Sequence, residues 1–412
     1  MIATNVCIIG AGPAGATTAL QLAYMGIPCV VVDKAVFPRD KVCGDGLSGK
    51  VLTILSRIDK GIGERLQQSL FKADSWGVRF IAPNGMDLNV PYQLHYRKEP
   101  DEPHGFVCKR IDFDNFLVEE LRRCPAIRLF EGTDITRHEL QPDGYLLSDE
   151  GGDFQVKTQL VIAANGAYSG FTKEVAGFNM EPAHYVAGIR AYYQNVKDLH
   201  PDHFVELHFL RNMLPGYFWI FPLPGGQANV GVGMLSKTAR KKKVNLKKLL
   251  LETIQTEPGL RERFKDAKLM GNISGYGLPL GSKRRPLYGE RYMLTGDAAY
   301  LIDPFTGEGI GNALYSGRIA AQHAAEAIAA NDYSAATLAG YDEHIYRVLG
   351  PELQMSARLQ KLIRYPWLFN WLVKKAGRNK QLQELLSCMF NEMDLRKKLG
   401  HPLFYLKLLF NR

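Results

Sequence analysis

Apolar positions open the chain in short, closely spaced runs. Residues 5–10 and Cys29–Val32 are nearly uninterrupted, while residues 13–25 repeat apolar side chains at helical spacing. Gly26 closes the helical stretch, where a left-handed cap suits glycine. Strand, glycine turn, helix and strand within about thirty residues predict the start of a βαβ unit. Two later runs, 159–164 and 291–295, each end in small residues, as parallel strands feeding cofactor loops do. Residues 76–96 and 186–234 differ: aromatic and β-branched side chains dominate, which predicts an antiparallel sheet. From about Gly317 the pattern is helical, first through 320–330 and then in longer amphipathic stretches reaching Phe410.

These patterns predict an α/β fold in which a Rossmann-type cofactor domain (1–75, 101–185 and 270–330) is interleaved with a mixed or antiparallel β-sheet substrate domain (76–100 and 186–269). Residues 331–412 form a C-terminal helical region. A length of 412 residues accommodates two or three such units.

Composition narrows the class. Hydrophobic residues make up 46% and charged residues 23%, which is ordinary globular usage and excludes disordered and fibrous chains. No run approaches the ~20 apolar residues of a membrane span, so contact with a membrane would be peripheral. The chain moves straight into its glycine turn, without the pattern of a secretory signal. The six cysteines show neither metal spacing nor a disulfide framework, so they are read as reduced thiols in the cytoplasm, with no metal site. A formal charge of +9 suits a phosphate-bearing ligand, an anionic membrane or a solvated surface. No stacked-aromatic module accompanies the basic clusters, so nucleic acid is not an expected partner.

Gly10, Gly12 and Gly15 form G-x-G-x-x-G directly after a strand, where backbone N–H groups and a helix start approach a pyrophosphate. Asp33 ends the following strand at the separation that places a carboxylate on a ribose. This pair fits either FAD or NAD. The segment 294–311, LTGDAAYLIDPFTGEGIG, reads as a second cofactor loop. Asp297 is positioned there to bond a ribityl hydroxyl or, more plainly, to cap a helix. The run Gly307, Gly309 and Ile310 brings helix-start N–H groups to the electron-rich edge of a reduced flavin.

Together these residues resemble the FAD-dependent oxidoreductases built like p-hydroxybenzoate hydroxylase, over residues 1 to about 330. Three further motifs are similar to the geranylgeranyl reductase family: PRDKVCGDG at 38–46, YFWIFP at 217–222 followed by NVGVG at 229–233, and DPFTGEGI at 303–310. The resemblance implies FAD and reduction of isolated carbon–carbon double bonds in a polyprenyl chain. It adds Ala14, Lys34, Cys43, Gly44 and Arg110 to the cofactor-binding set. Cys43 and Asp45 become the catalytic candidates. Cys43 is a reacting or positioning thiol, or only a small residue in a tight loop. Asp45 stands where the family usually has glycine, as a proton source or as a change of loop shape. Tyr217, Trp219, Phe221 and Pro222 are the substrate-contact candidates, the three rings sharing one face of a strand as channel wall or as ordinary core. Asn165 replaces an aspartate usual in the superfamily.

No second G-x-G-x-x-G unit offers a separate nucleotide domain, so the electron donor is NADPH docking transiently or ferredoxin, undecided between them. The segments 365–372 and 402–410, rich in aromatics and leucine beside lysines, fit equally a packed helical cap and a surface resting on a membrane. Two other functions fit the scaffold. One is a flavin monooxygenase or halogenase, whose W-x-W-x-I-P motif is only loosely matched because position 217 is Tyr and 221 is Phe. The other is a non-catalytic flavin electron carrier.

Overall fold

In the computed structural model the described residues are 1–93, 95–98, 102–379 and 382–383. The segment 402–410 lies outside them. The opening pattern folds as its periodicity requires. Strand Ile2–Ile9 is buried in its second half, helix Pro13–Tyr24 follows the glycine turn, and strand Cys29–Val32 is buried throughout. Proline at the first helical turn loses no hydrogen bond there, and Gly26 takes φ +76 beyond the helix end.

These strands lie at the centre of an eight-stranded sheet whose five-strand parallel core runs Tyr292–Leu294, Gln155–Ala163, Ile2–Ile9, Cys29–Val32 and Ile127–Phe130. Strand Tyr288–Gly289 and the hairpin Arg137–Gln141 with Gly144–Ser148 add antiparallel edges. Helix Pro13–Tyr24 packs closely on helix Ile310–Ala330. A Cβ on Gly317 would lie 2.3 Å from the Ala14 carbonyl oxygen, so the contact needs glycine. Thr18 Oγ1 donates to the Gly317 carbonyl across it at 3.1 Å. Two helix starts that the sequence separates by about three hundred residues are thereby brought together.

A second sheet of seven strands runs Lys268–Pro279, Tyr185–Gln194, Gln227–Leu235, Tyr217–Leu223, Val205–His208, Gly77–Ile81 and Asp87–Pro91. All its pairs are antiparallel except Val205–His208 with Gly77–Ile81. It is thus mixed, and the expected boundary at residue 270 is corrected. Strand Lys268–Pro279 pairs antiparallel along Tyr185–Gln194 and forms an edge of the substrate sheet, its backbone groups bonded to that strand. A small sheet of Gly46–Ser48, Gly105–Cys108 and Lys72–Ser75 joins the two larger ones.

Two helices, Ala335–Leu362 and Pro366–Ala376, close the described structure. A buried ion pair ties the first to the cofactor region: Lys50 Nζ reaches both Glu352 carboxylate oxygens at 2.7 and 2.8 Å. Burial pulls the Lys50 ammonium down, but Glu352, Glu308 and Asp303 more than offset it, so the group stays charged. The second helix has two distinct faces. Phe369, Val373 and Ala376 are buried on the substrate sheet, with the Phe369 ring 4.6 Å from Phe209. Trp367 and Trp371 are 68% and 49% exposed on the other face. The packed-cap expectation for segment 365–372 thus holds on the inner face of the helix.

Candidate active site

The glycine turn is built for close backbone approach. A Cβ on Gly15 would stand 1.8 Å from the Gly10 carbonyl oxygen, and Gly10 itself holds φ +106 against Ala164. At Gly12 the only neighbour of a Cβ would be Arg39 Nη2 at 3.7 Å, so this position faces open space. Gly12 is also the helix N-cap, with no side-chain cap and no acidic residue in the first turn. An uncapped helix start facing open space is what a pyrophosphate requires. Asp33 accepts the Ala11 and Ala35 N–H groups at 2.7 and 2.8 Å, which fixes its carboxylate at the end of the second strand. Lys34 is exposed beside it. Ala14 is buried between the two helices.

The second loop meets the first. Gly296, at φ +58, leaves room between Ala14 and Ala313. Asp297 then lies beside Gly309, at the start of helix Ile310–Ala330, and its Oδ2 receives Lys41 Nζ at 3.0 Å. Gly307 takes φ +73 where the Tyr217 hydroxyl passes to donate to the Thr306 carbonyl. Asp303 shapes this loop by accepting the Phe305 and Thr306 N–H groups at 2.9 and 2.8 Å. The residues present thus fit FAD: the uncapped helix start at Gly12 and the fixed Asp33 carboxylate stand at the glycine turn, and Gly296, against Ala14 and Ala313, brings the Asp297 loop to the same helix.

Arg110 lies beside the cysteine turn. It is buried, its Nε and Nη2 both bond Asp114 at 2.7 Å, and it reaches the Cys43 sulfur. Arg39 also bonds Asp114. Burial alone would raise the Asp114 carboxyl, but Arg110, Arg39 and Lys41 hold it below its ordinary value. Two of the three Arg110 guanidinium nitrogens are thus engaged by Asp114, beneath the cysteine turn.

That turn is pinned to the aromatic strand. Asn229 Nδ2 donates to the Cys43 carbonyl and to Asp45 Oδ2, both at 2.8 Å, while its Oδ1 accepts the Trp219 indole N–H at 2.9 Å. Tyr192 donates its hydroxyl to the same Asp45 oxygen at 2.8 Å. Gly44 and Gly46 sit so close to Phe221 that a Cβ on either would be 3.2 or 3.1 Å from the ring. The rings of Tyr217, Trp219 and Phe221 follow one another at 6.2 and 6.3 Å along one face of the strand. Pro222 does not join them: strand alternation turns it with Phe218 and Ile220 to the opposite face.

Asp45 adopts φ +66, a region glycine enters freely, which accounts for glycine as the usual family residue there. Its side chain is fully buried. Burial pushes the carboxyl up to about 6, against the opposing hydrogen bonds from Asn229 and Tyr192, and its Oδ1 has no partner. A carboxyl that is easily protonated, with one oxygen unclaimed, is suited to give up a proton. Burial likewise raises the Cys43 thiol, with Arg110 and Lys41 pulling against it, so Cys43 is poised as a thiol. Asn229 opens the NVGVG motif, which gave it no role of its own, and Tyr192 was not singled out in the sequence. An amide between the apolar Ala228 and Val230 of strand Gln227–Leu235 is a signal for the first; Tyr192 carries none.

Fold and site together define an FAD-dependent oxidoreductase of the p-hydroxybenzoate hydroxylase-like class. The FAD binding domain family matches residues 3–328. The chain belongs to the geranylgeranyl reductase family within that class. It is 30% identical, over 87% of its length and 86% of the relative's, to digeranylgeranylglycerophospholipid reductase 1 of Methanothermobacter thermautotrophicus. It is 29% identical, over 77% of its length and 76% of the relative's, to a menaquinone reductase of Mycobacterium tuberculosis. Its fold matches a geranylgeranyl bacteriochlorophyll reductase-like protein from Thermoplasma acidophilum with a TM-score of 0.80 at 24% identity, covering 97% of this chain and 99% of that one.

The cradle makes a prediction at two glycines. Gly12→Ala should leave the thermal stability of the FAD-free protein unchanged, because its methyl meets open space, yet sharply lower FAD retention. Gly15→Ala should destabilise even the FAD-free chain, because its methyl meets backbone. Flavin absorbance and melting of the stripped proteins check both, and full FAD occupancy in Gly12→Ala would contradict the placement.

Proposed function

We propose that the protein hydrogenates carbon–carbon double bonds of a geranylgeranyl or other polyprenyl chain. The observation that carries this reading is the Asn229 clamp, which holds the Cys43–Asp45 turn against the Trp219 and Phe221 rings. Reduced FAD, when bound, supplies a hydride. An isolated alkene is a poor acceptor, so the chain's contribution is alignment of the double bond and delivery of a proton to its second carbon. The aromatic face of Tyr217, Trp219 and Phe221 gives an apolar prenyl tail a wall to lie on. Asp45 is the proton donor through its unclaimed Oδ1, and Cys43 positions the alkene beside it. Names of the relatives support a prenyl-lipid substrate, since one reduces a digeranylgeranylglycerophospholipid and another is a menaquinone reductase. The donor is NADPH or a ferredoxin; the basic surface suits the phosphates of one and the acidity of the other. Bleaching of the flavin by each, followed in stopped flow, decides between them.

The reading is tested with FAD-loaded protein reduced anaerobically by dithionite and mixed with a panel of geranylgeranyl lipids, diphosphates and quinones. Products should gain two hydrogens per step as the flavin reoxidises; a panel of unchanged mass would sink the proposal. In the same assay Asp45→Asn should keep FAD and lose about 10²–10⁴-fold in rate. Because the acid must be protonated to act, the native rate should hold below about pH 6 and decline as pH rises through it. A pH-independent rate, with Asp45→Asn as fast as the native enzyme, would remove Asp45 from the reaction.

No described helix is long and apolar enough to cross a membrane. We assign peripheral contact to the outer face of helix Pro366–Ala376, where exposed Tyr365, Trp367 and Trp371 stand beside Lys374 and Lys375. Aromatics at the headgroup level and lysines facing anionic lipid are the elements of interfacial binding. Trp367→Glu with Trp371→Glu should reduce cosedimentation with vesicles containing anionic lipid, leaving FAD content intact. Undiminished cosedimentation would move the contact elsewhere.

A further inference from the structure

Strands Tyr185–Gln194 and Gln227–Leu235 are neighbours in the substrate sheet, and their register sets Tyr192 directly opposite Asn229. Directly opposed residues present their side chains to the same face, close together. Both reach the turn on the cofactor side and end on one atom: the Tyr192 hydroxyl and Asn229 Nδ2 each donate to Asp45 Oδ2 at 2.8 Å. The orientation of the amide is fixed from its other end. An indole nitrogen only donates, so Trp219 Nε1 at 2.9 Å requires the Asn229 oxygen and leaves the amide nitrogen for Asp45.

The surroundings of Tyr192 keep its hydroxyl a donor. Arg190, two residues earlier on the same strand, lies 4.1 Å over the ring, and Lys109, just before helix Arg110–Arg122, lies 5.1 Å over it. Cations over an aromatic face draw on its electrons and strengthen the hydroxyl as a donor. Arg190 also pairs with Asp40, so the strand grips the cysteine loop at Asp40 as well as at Asp45. Burial and the adjacent Asp45 carboxylate push the phenol up, so it retains its proton.

A carboxyl oxygen offers two lone pairs, and on Oδ2 both are taken. We propose that Tyr192 is a positioning residue for the acid: by filling Oδ2 together with Asn229, it confines the Asp45 proton to Oδ1, the oxygen without a protein partner. The inference rests on Asp45 being the proton donor and names the residue that aims its proton. The other charged or titratable groups facing Asp45 are Arg190 on the same strand as Tyr192, Arg110 on its helix, Cys43 in the turn itself and Cys108 on strand Gly105–Cys108. Burial pushes both thiols up, away from the range in which Asp45 titrates.

The experiment is infrared difference spectroscopy of FAD-loaded protein across a pH titration without alkene, with Asp45→Asn identifying the Asp45 carbonyl band. A carbonyl that accepts two hydrogen bonds absorbs at lower frequency than one that accepts a single bond. With the proton on Oδ1 the carbonyl oxygen is Oδ2, so Tyr192→Phe should move the band to higher frequency. The same variant removes a donor from the ionised form, so the titration midpoint should rise by about one to two pH units. A ring-fluorinated tyrosine in place of Tyr192, nearly the same in shape and a stronger donor, should move band and midpoint the opposite way. In the alkene assay the decline in rate should move along the pH axis with the midpoint. A band or a midpoint that stays in place in both variants overturns the inference. Spectra recorded without alkene read the link between Tyr192 and Asp45 whether or not the lipid panel is reduced, so this proposal and the reductase reading fail separately.

Discussion

Asn229 donates to the Cys43 carbonyl and the Asp45 carboxylate while its own oxygen accepts the Trp219 indole, so one side-chain amide fixes three parts of the site at once. The turn that carries Cys43 and Asp45 belongs to the cofactor side of the molecule, and the strand that carries Trp219 belongs to the substrate sheet. Without the amide, a buried carboxylate and a buried carbonyl would each lose a donor, at about 1–3 kcal/mol apiece. A polar network this deep is stable only when its members are satisfied together. The one oxygen left out, Asp45 Oδ1, is for that reason the informative one.

The same logic of long-range polar pairing holds the cofactor loop. Asp303 accepts backbone N–H groups of its own turn, Glu308 accepts the Gly311 N–H at the start of the long helix, and Lys50 reaches across to Glu352. Lys50 is the cation among these buried acids, so it balances the loop and anchors helix Ala335–Leu362 together. The helix that closes the fold is thereby part of the support of the site.

Packing also decides which side chains are available for chemistry. Arg110 stands at the start of its helix, and Asp114, one turn later, takes its Nε and Nη2. Asp45 occupies a backbone conformation that costs a non-glycine residue, and two hydrogen bonds to its Oδ2 hold it there. Exposed Trp367 and Trp371 show the converse, large apolar rings kept off the core because Phe369, Val373 and Ala376 already fill the helix's inner face.

Local features were written plainly in the sequence. The strand, glycine turn and helix at the N-terminus, the carboxylate Asp33, the loop around Asp297 and the shared face of Tyr217, Trp219 and Phe221 all follow from spacing over a few residues, because sterics and periodicity act between near neighbours. The family motifs located Cys43 and Asp45 for the same reason. Only the tertiary structure decided that strand Lys268–Pro279 joins the substrate sheet and that Arg110 reaches the Cys43 sulfur. It alone paired Asn229 with Asp45 across 184 positions and Lys50 with Glu352 across 302. Such partners are chosen by how helices and sheets pack and by which buried polar groups must be satisfied there, and no local pattern in the chain encodes that.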